Sequence, residues 1–219
     1  MDEITINYII VMTNNFEQYK KYIEEGFKTD ILQEKDKYYV IELIRRGKDN
    51  PTLQAANYHF KNYYIKKIED IDKYKSEIIQ LCDMFNLRAY ASVNVKSFKQ
   101  VTLNTMAELA KRIANNDFNK PYNIFESCSG SYFHHSNKRW IIDIDGDYKI
   151  EKIKEILNIV KPYNTEKIID IFKTKSGHHI ITTPFDKQEF NIVFNGVFGL
   201  ESETLDIKTN HLTLIYENI

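Results

Sequence analysis

Cysteine is scarce: the 219-residue chain has two, Cys82 and Cys128. That excludes a disulfide framework and a cysteine-rich zinc module. The sequence also lacks CxxC, HExxH, GxSxG, a Gly-rich dinucleotide fingerprint, the phosphate loop GxxxxGK[ST] and the kinase motif set. The chemistries that depend on those spacings are therefore not expected. His134-His135 stands in a polar stretch with no third ligand at helical or turn spacing, so no zinc site is expected there. Glycine (7) and proline (4) are few, and there are no repeats, low-complexity tracts or Pro/Gly-rich linkers, which excludes a disordered or fibrous chain. No apolar run approaches the roughly 20 residues that span a bilayer. The opening MDEITINYIIVM puts acid, not base, before a short apolar run, unlike a secretory leader. A soluble cytoplasmic protein with no membrane partner is expected. Neither charge is in excess: 30 Lys+Arg against 31 Asp+Glu give a net charge of -1. A uniformly basic, histone-like binder is excluded, whereas a local basic groove is not.

What is abundant is core-forming material: 42% hydrophobic residues, with 15 Tyr and 13 Phe. Short strand-like runs alternate with amphipathic ones, which predicts an α+β fold. Ile4–Met12 reads as a strand, followed by a helix capped at Thr13 or Asn14 that carries Phe16, Tyr19 and Ile23. Tyr38–Ile44, Tyr63–Ile68 and Arg88–Val95 read as strands, and Asp49-Asn50-Pro51 as a turn. Ile71–Phe85 and Met106–Ile113 carry helical stripes. Residues 116–137, rich in Asn, Ser, Gly and His, read as a long connecting loop between an α/β unit over 1–115 and a second unit over 138–219. In that second unit Trp140–Ile144, Ile168–Phe172, His179–Thr183 and Leu212–Tyr216 read as strands, with helices over Ile150–Val160 and Lys187–Phe194. Strand, helix, strand, strand, helix, strand is the order of a split βαβ, RRM-like unit with mostly antiparallel pairing.

Three clusters in the second unit stand out. In Ile142-Asp143-Ile144-Asp145, alternation along a strand projects both carboxylates from one face. Two such close acids repel unless a cation joins them, and hard Mg²⁺ or Mn²⁺ prefers oxygen ligands. In the turn Lys173-Thr174-Lys175-Ser176-Gly177-His178-His179, Ser, His and Lys offer donors suited to phosphate, and one of the two histidines must face away from the site. Leu205-Asp206 offers a third carboxylate before the last strand, with Glu217 as the alternative acid. Each cluster taken alone also fits a solvated turn, since Asp-Gly and Ser-Gly are ordinary turn chemistry. A fourth, basic set comprises Arg45, Arg46, Lys48 and Arg88, placed just after strands where a nucleic-acid backbone can be held.

In order, the three clusters resemble the archaeo-eukaryotic primase superfamily, the primase-polymerases. Its pattern is hydrophobic-Asp-x-Asp, then Ser-x-His, then a hydrophobic residue before Asp or Glu. Here the matching residues are Ile142-Asp143-Ile144-Asp145, Ser176-Gly177-His178 and Leu205-Asp206. The likeness covers residues 138–217 and is closest in character to small phage or mobile-element cores. It implies that Asp143, Asp145 and Asp206 hold two divalent ions, Mg²⁺ or Mn²⁺, and are the catalytic acids. Ser176 and His178 would contact the nucleotide phosphates, helped by Lys173 and Lys175. The implied activity is template-directed synthesis or extension of a primer on single-stranded DNA from nucleoside triphosphates. A helicase or other replication proteins would be separate partners. From charge alone, Arg45, Arg46, Lys48 and Arg88 are expected to face the template. Two other activities use the same features: a metal-dependent nuclease, and a binding module for single strands without turnover.

Overall fold

A computed structural model describes residues 12–29, 34–49, 57–131, 138–145, 150–198 and 205–218. Most of the strand expected over Ile4–Met12, the His134-His135 pair, Asn50-Pro51 and Gly146-Asp147 lie outside the described residues.

The fold is α+β, and every strand pairing described is antiparallel. Two sheets organise it. The first contains β1 (Met12–Asn14), β2 (Lys37–Arg45), β3 (Tyr58–Ile65), β4 (Arg88–Ser92), β5 (Lys96–Ser97) and β10 (Leu212–Asn218). Its order is β1-β10-β4-β2-β3, with β5 on β2. Helix α1 (Phe16–Thr29) buries the stripe expected of it, Phe16, Tyr19 and Ile23. On α2 (Glu69–Phe85) Ile71 and Ile78 of the stripe Ile71, Tyr74, Ile78, Leu81 and Phe85 are buried, Tyr74 and Leu81 are partly so, Phe85 is exposed, and Cys82 is buried instead. Asn15 occupies the cap position of α1, its carbonyl accepting from the Tyr19 N–H at 2.8 Å. The Asn14 side chain accepts from the Phe16 N–H, whereas the Thr13 hydroxyl turns to Glu217.

The second sheet is β7-β8-β6-β9, from β6 (Trp140–Asp145), β7 (Ile168–Lys173), β8 (Gly177–Thr182) and β9 (Asp206–Lys208). Here β8 lies between β6 and β7 and runs antiparallel to both. Helices α5 (Ile150–Ile159) and α6 (Lys187–Phe198) supply Ile153, Ile156, Leu157, Phe190 and Phe194 to a core with Ile142, Ile144 and Ile180. Alternation sends the intervening residues Ile141 and Ile181, with Phe172, to the first sheet's core instead. The sheet thus divides its isoleucines between two cores.

Two expectations are corrected. Residues 116–137 are not one loop: a 3₁₀ turn (Pro121–Asn123) leads into α4 (Ile124–Ser131). That helix packs on α3 (Phe98–Ala114), and Ile124 and Cys128 are buried with Tyr38 and Val40. Polar composition hid a helix only two turns long, whose buried residues are Ile124, Cys128 and Ser129. The last apolar run also leaves the second unit. β10 inserts between β1 and β4, and Thr213, Leu214, Ile215, Tyr216 and Glu217 are all buried, as befits a central strand. The second sheet is completed by the three residues of β9, which are too few to show a strand pattern in sequence.

The halves are stitched together. Asn15 Nδ2 donates to the carbonyls of Lys173 (2.8 Å) and Leu214 (3.0 Å), and Gln18 donates to Asp170 (2.6 Å) and to the Ile171 carbonyl (2.9 Å). Asn94 and the Arg139 backbone exchange hydrogen bonds in both directions.

Candidate active site

On β6 the isoleucines stay buried to Ile144, while Asp143 is partly exposed and Asp145 at the strand's end is exposed. Asp143 lies directly opposite His179 of β8 on one side and Asp206 of β9 on the other, so the three share a face. Asp145 lies opposite Gly177 on that same face. A Cβ at position 177 would run into the Ile144 carbonyl, so only glycine lets β8 lie this close to the tip of β6. The turn from β7 to β8 closes between Thr174 and Gly177, each backbone N–H finding a partner in the other residue (2.9 and 3.0 Å). That leaves Lys175 and Ser176 at its tip. The Ser176 hydroxyl donates to Asp145 Oδ1 at 2.7 Å.

Asp143 is the most constrained of these groups. Its Oδ2 accepts from Lys208 Nζ at 2.6 Å, and its Oδ1 lies 3.4 Å from His179 Nε2. Burial by itself raises the Asp143 carboxyl, but hydrogen bonds from His179 and Lys208, and the charges behind them, outweigh it. The carboxyl is held well below the usual range and stays ionised at any physiological pH. Lys208 shows the reciprocal balance: burial lowers its ammonium, and Asp143 and then Asp206 raise it further. The other imidazole nitrogen of His179 is 3.1 Å from Thr213 Oγ1 and accepts from the Leu214 N–H at 3.4 Å. That backbone donor leaves the proton on Nε2, aimed at Asp143. His179 is therefore a bracket between the acidic strand and β10 of the other sheet.

These groups line a cavity of about 520 Å³ between the two sheets, within the size range of small-molecule sites. Asp143, Asp145, Lys175, Ser176, His179 and Lys208 form one wall, and Arg46, Lys48, Arg88 and Tyr90 form the other, with His211 and Leu214 among the further lining residues. Residues some hundred positions apart in sequence thus meet around one space.

Several expected residues are placed elsewhere. His178 lies opposite Ile144 and Lys173, on the face turned away from Asp143, so His179 takes the pocket side. The cause is period-two alternation: with Ile180 and Ile181 following, either histidine fitted the pattern, and only the cross-strand partner decided. Lys173 is turned away for the same reason. Arg45 donates to the Phe85 carbonyl (3.2 Å) and does not line the cavity. Arg88 lines it but is buried, its guanidinium gripping both Asp49 oxygens (2.8 and 2.9 Å) and pairing with Glu217 at 3.0 Å. It is not free to hold a template. Glu217, the alternative third acid, is fully buried in that cluster rather than beside Asp143. Asp206 begins β9 opposite Asp143, exposed, paired with Lys208 at 3.2 Å, and does not line the cavity. Lys208 was missed; the signal for it was i, i+2 spacing from Asp206, which puts both on one face once 206–208 is read as a strand.

The donors suit a hard divalent ion in kind, being carboxylates on one face. They are not gathered as a ligand set: among the described residues, no three His, Cys, Asp or Glu side chains converge on one point. Lys208 instead bridges Asp143 and Asp206.

No family model, curated protein or solved structure matches the chain. The chemical reading of the cavity therefore rests on its own residues and on the order of the motifs.

Proposed function

We propose that the protein is a template-directed nucleotidyltransferase of the primase-polymerase type, which joins nucleoside triphosphates to a primer on single-stranded DNA. One observation carries the reading: Asp143, Asp145, the Ser176 turn and His179 share a single cavity with Arg46 and Lys48 of the other half, and Asp206 stands beside it, opposite Asp143. Carboxylates and cationic side chains gathered around one space suit a metal-bound triphosphate. Asp143, Asp145 and Asp206 would hold the divalent ions, Mg²⁺ or Mn²⁺, whose charge activates the primer hydroxyl and steadies the departing pyrophosphate. Ser176 fixes Asp145, and His179 fixes Asp143, so that neither carboxylate has to be oriented at the moment of reaction. Lys175, Arg46 and Lys48 neutralise phosphate oxygens, and Tyr90 offers a flat face to a base or sugar.

The test is incorporation of labelled nucleotides on single-stranded DNA with Mn²⁺ or Mg²⁺, with and without a primer. Extension is expected, falling about a hundredfold or more in Asp143→Ala. No incorporation under either metal, or undiminished activity in Asp143→Ala, overturns the reading. Degradation of the strand without added nucleotide would instead identify a nuclease using the same acids.

A further inference from the structure

Lys208 sits where a cation is needed and where a second one cannot enter. Its ammonium is 2.6 Å from Asp143 Oδ2 and 3.2 Å from Asp206 Oδ2, and it is three-quarters buried. It belongs to β9, a three-residue edge strand. A divalent ion drawing on Asp143 and Asp206 together needs the lone pairs that Lys208 now occupies. An ammonium and a dication a few ångströms apart also repel, the more so on the Asp143 side, where both side chains are largely buried. The two therefore exclude each other. A displaced ammonium in turn loses two carboxylate partners, which is costly for a largely buried side chain unless an anion replaces them. The cavity leads such an anion there, since Lys175, Arg46 and Lys48 line the same space.

We propose that Lys208 couples the two ligands of this site: it bridges Asp143 and Asp206 in the empty protein and moves onto the triphosphate when a metal ion takes its place. Metal alone and nucleotide alone then bind weakly, and each tightens the other by the same factor, as linkage demands. The inference rests on the nucleotidyltransferase reading, but it concerns binding and not turnover.

The experiment measures Mn²⁺ affinity of the full chain by the electron paramagnetic resonance of free Mn²⁺. It is done without nucleotide and with a saturating non-hydrolysable deoxynucleoside α,β-imidotriphosphate, correcting for Mn²⁺ held by the free analogue. In the wild type the analogue is expected to tighten Mn²⁺ about tenfold or more. Lys208→Gln is expected to bind Mn²⁺ alone at least about threefold tighter than the wild type, with the coupling reduced to about twofold or less. Lys208→Arg keeps the charge and is expected to keep Mn²⁺ alone weak. Equal Mn²⁺ affinity in wild type and Lys208→Gln, or full coupling in Lys208→Gln, overturns the proposal while leaving the nucleotidyltransferase reading intact. So does a Lys208→Arg protein that tightens Mn²⁺ as much as the Gln variant. If Mn²⁺ does not bind the wild type with or without the analogue, both this proposal and the two-metal reading fall.

Discussion

Arg88 illustrates how little a residue type says about its task. Its charge, grouped with that of Arg45, Arg46 and Lys48, made it a candidate for phosphate. In the fold it is buried and balanced by Asp49 and by the fully buried Glu217. Through Asp49 it also anchors the 3₁₀ turn Gly47–Asp49, whose Lys48, with Arg46 just before it, lines the cavity. Removing one member of a buried ionic cluster leaves the others uncompensated, at a cost of about 3–5 kcal/mol. Arg88→Met is therefore expected to lower the unfolding free energy by about 3 kcal/mol or more in urea titration. A residue serving only the template would leave the urea midpoint unchanged. Asp143 and Lys208 make the opposite case. Their charges are tied to each other at the cavity wall, so what they hold in place is a site and not the core.

At the scale of elements, the face of a strand decides function. β8 carries His178 and His179 in succession, and the register with β6 sets His179 against Asp143 and His178 against Ile144. His179→Ala is expected to reduce nucleotide incorporation at least about tenfold, because the carboxylate it orients is released. His178→Ala is expected to change incorporation by less than about twofold, its ring lying on the far face. Steady-state incorporation assays on the two variants check this, and the reverse ranking would mean that the register is wrong. Gly177 holds that register in place, since a side chain there meets the Ile144 carbonyl. The same element shows why sequence reading stopped short. Asp143 and Asp145 were legible, because a carboxylate pair at i, i+2 after isoleucines is conspicuous. The choice between adjacent histidines was not, because Ile180 and Ile181 make both faces of β8 apolar. Nor was α4, whose polar letters conceal a short buried face.

For the molecule as a whole, near-zero net charge conceals a local concentration of charge. Around the cavity Asp143 and Asp145 stand with Lys175 and Lys208, and Asp49 stands with Arg46, Lys48 and Arg88. Single-strand binding is expected to be modest and salt-sensitive. Each phosphate neutralised contributes about 0.7 to the slope of log affinity against log salt. The Arg46→Ala, Lys48→Ala double variant is expected to flatten that slope by about 1.4, measured by fluorescence anisotropy across a salt series. An unchanged slope would place the strand elsewhere on the surface.

By itself the sequence determined the α+β composition, the amphipathic helices and the acidic strand tip, because each of these follows from neighbours within a few residues. Only the tertiary structure decided that the last strand crosses into the first sheet, that Arg88 and Glu217 are partners, and that Lys208 bridges Asp143 and Asp206. Those outcomes are pairings between distant segments. Pairing is set by which buried faces and unlike charges can meet at the lowest cost, and no local pattern records it. The scarcity of cysteine has the same consequence. With no disulfide framework, the two halves are joined by β10, by the core that Ile141, Phe172 and Ile181 share with the first sheet, and by side chains such as Asn15 and His179 that bond across the boundary.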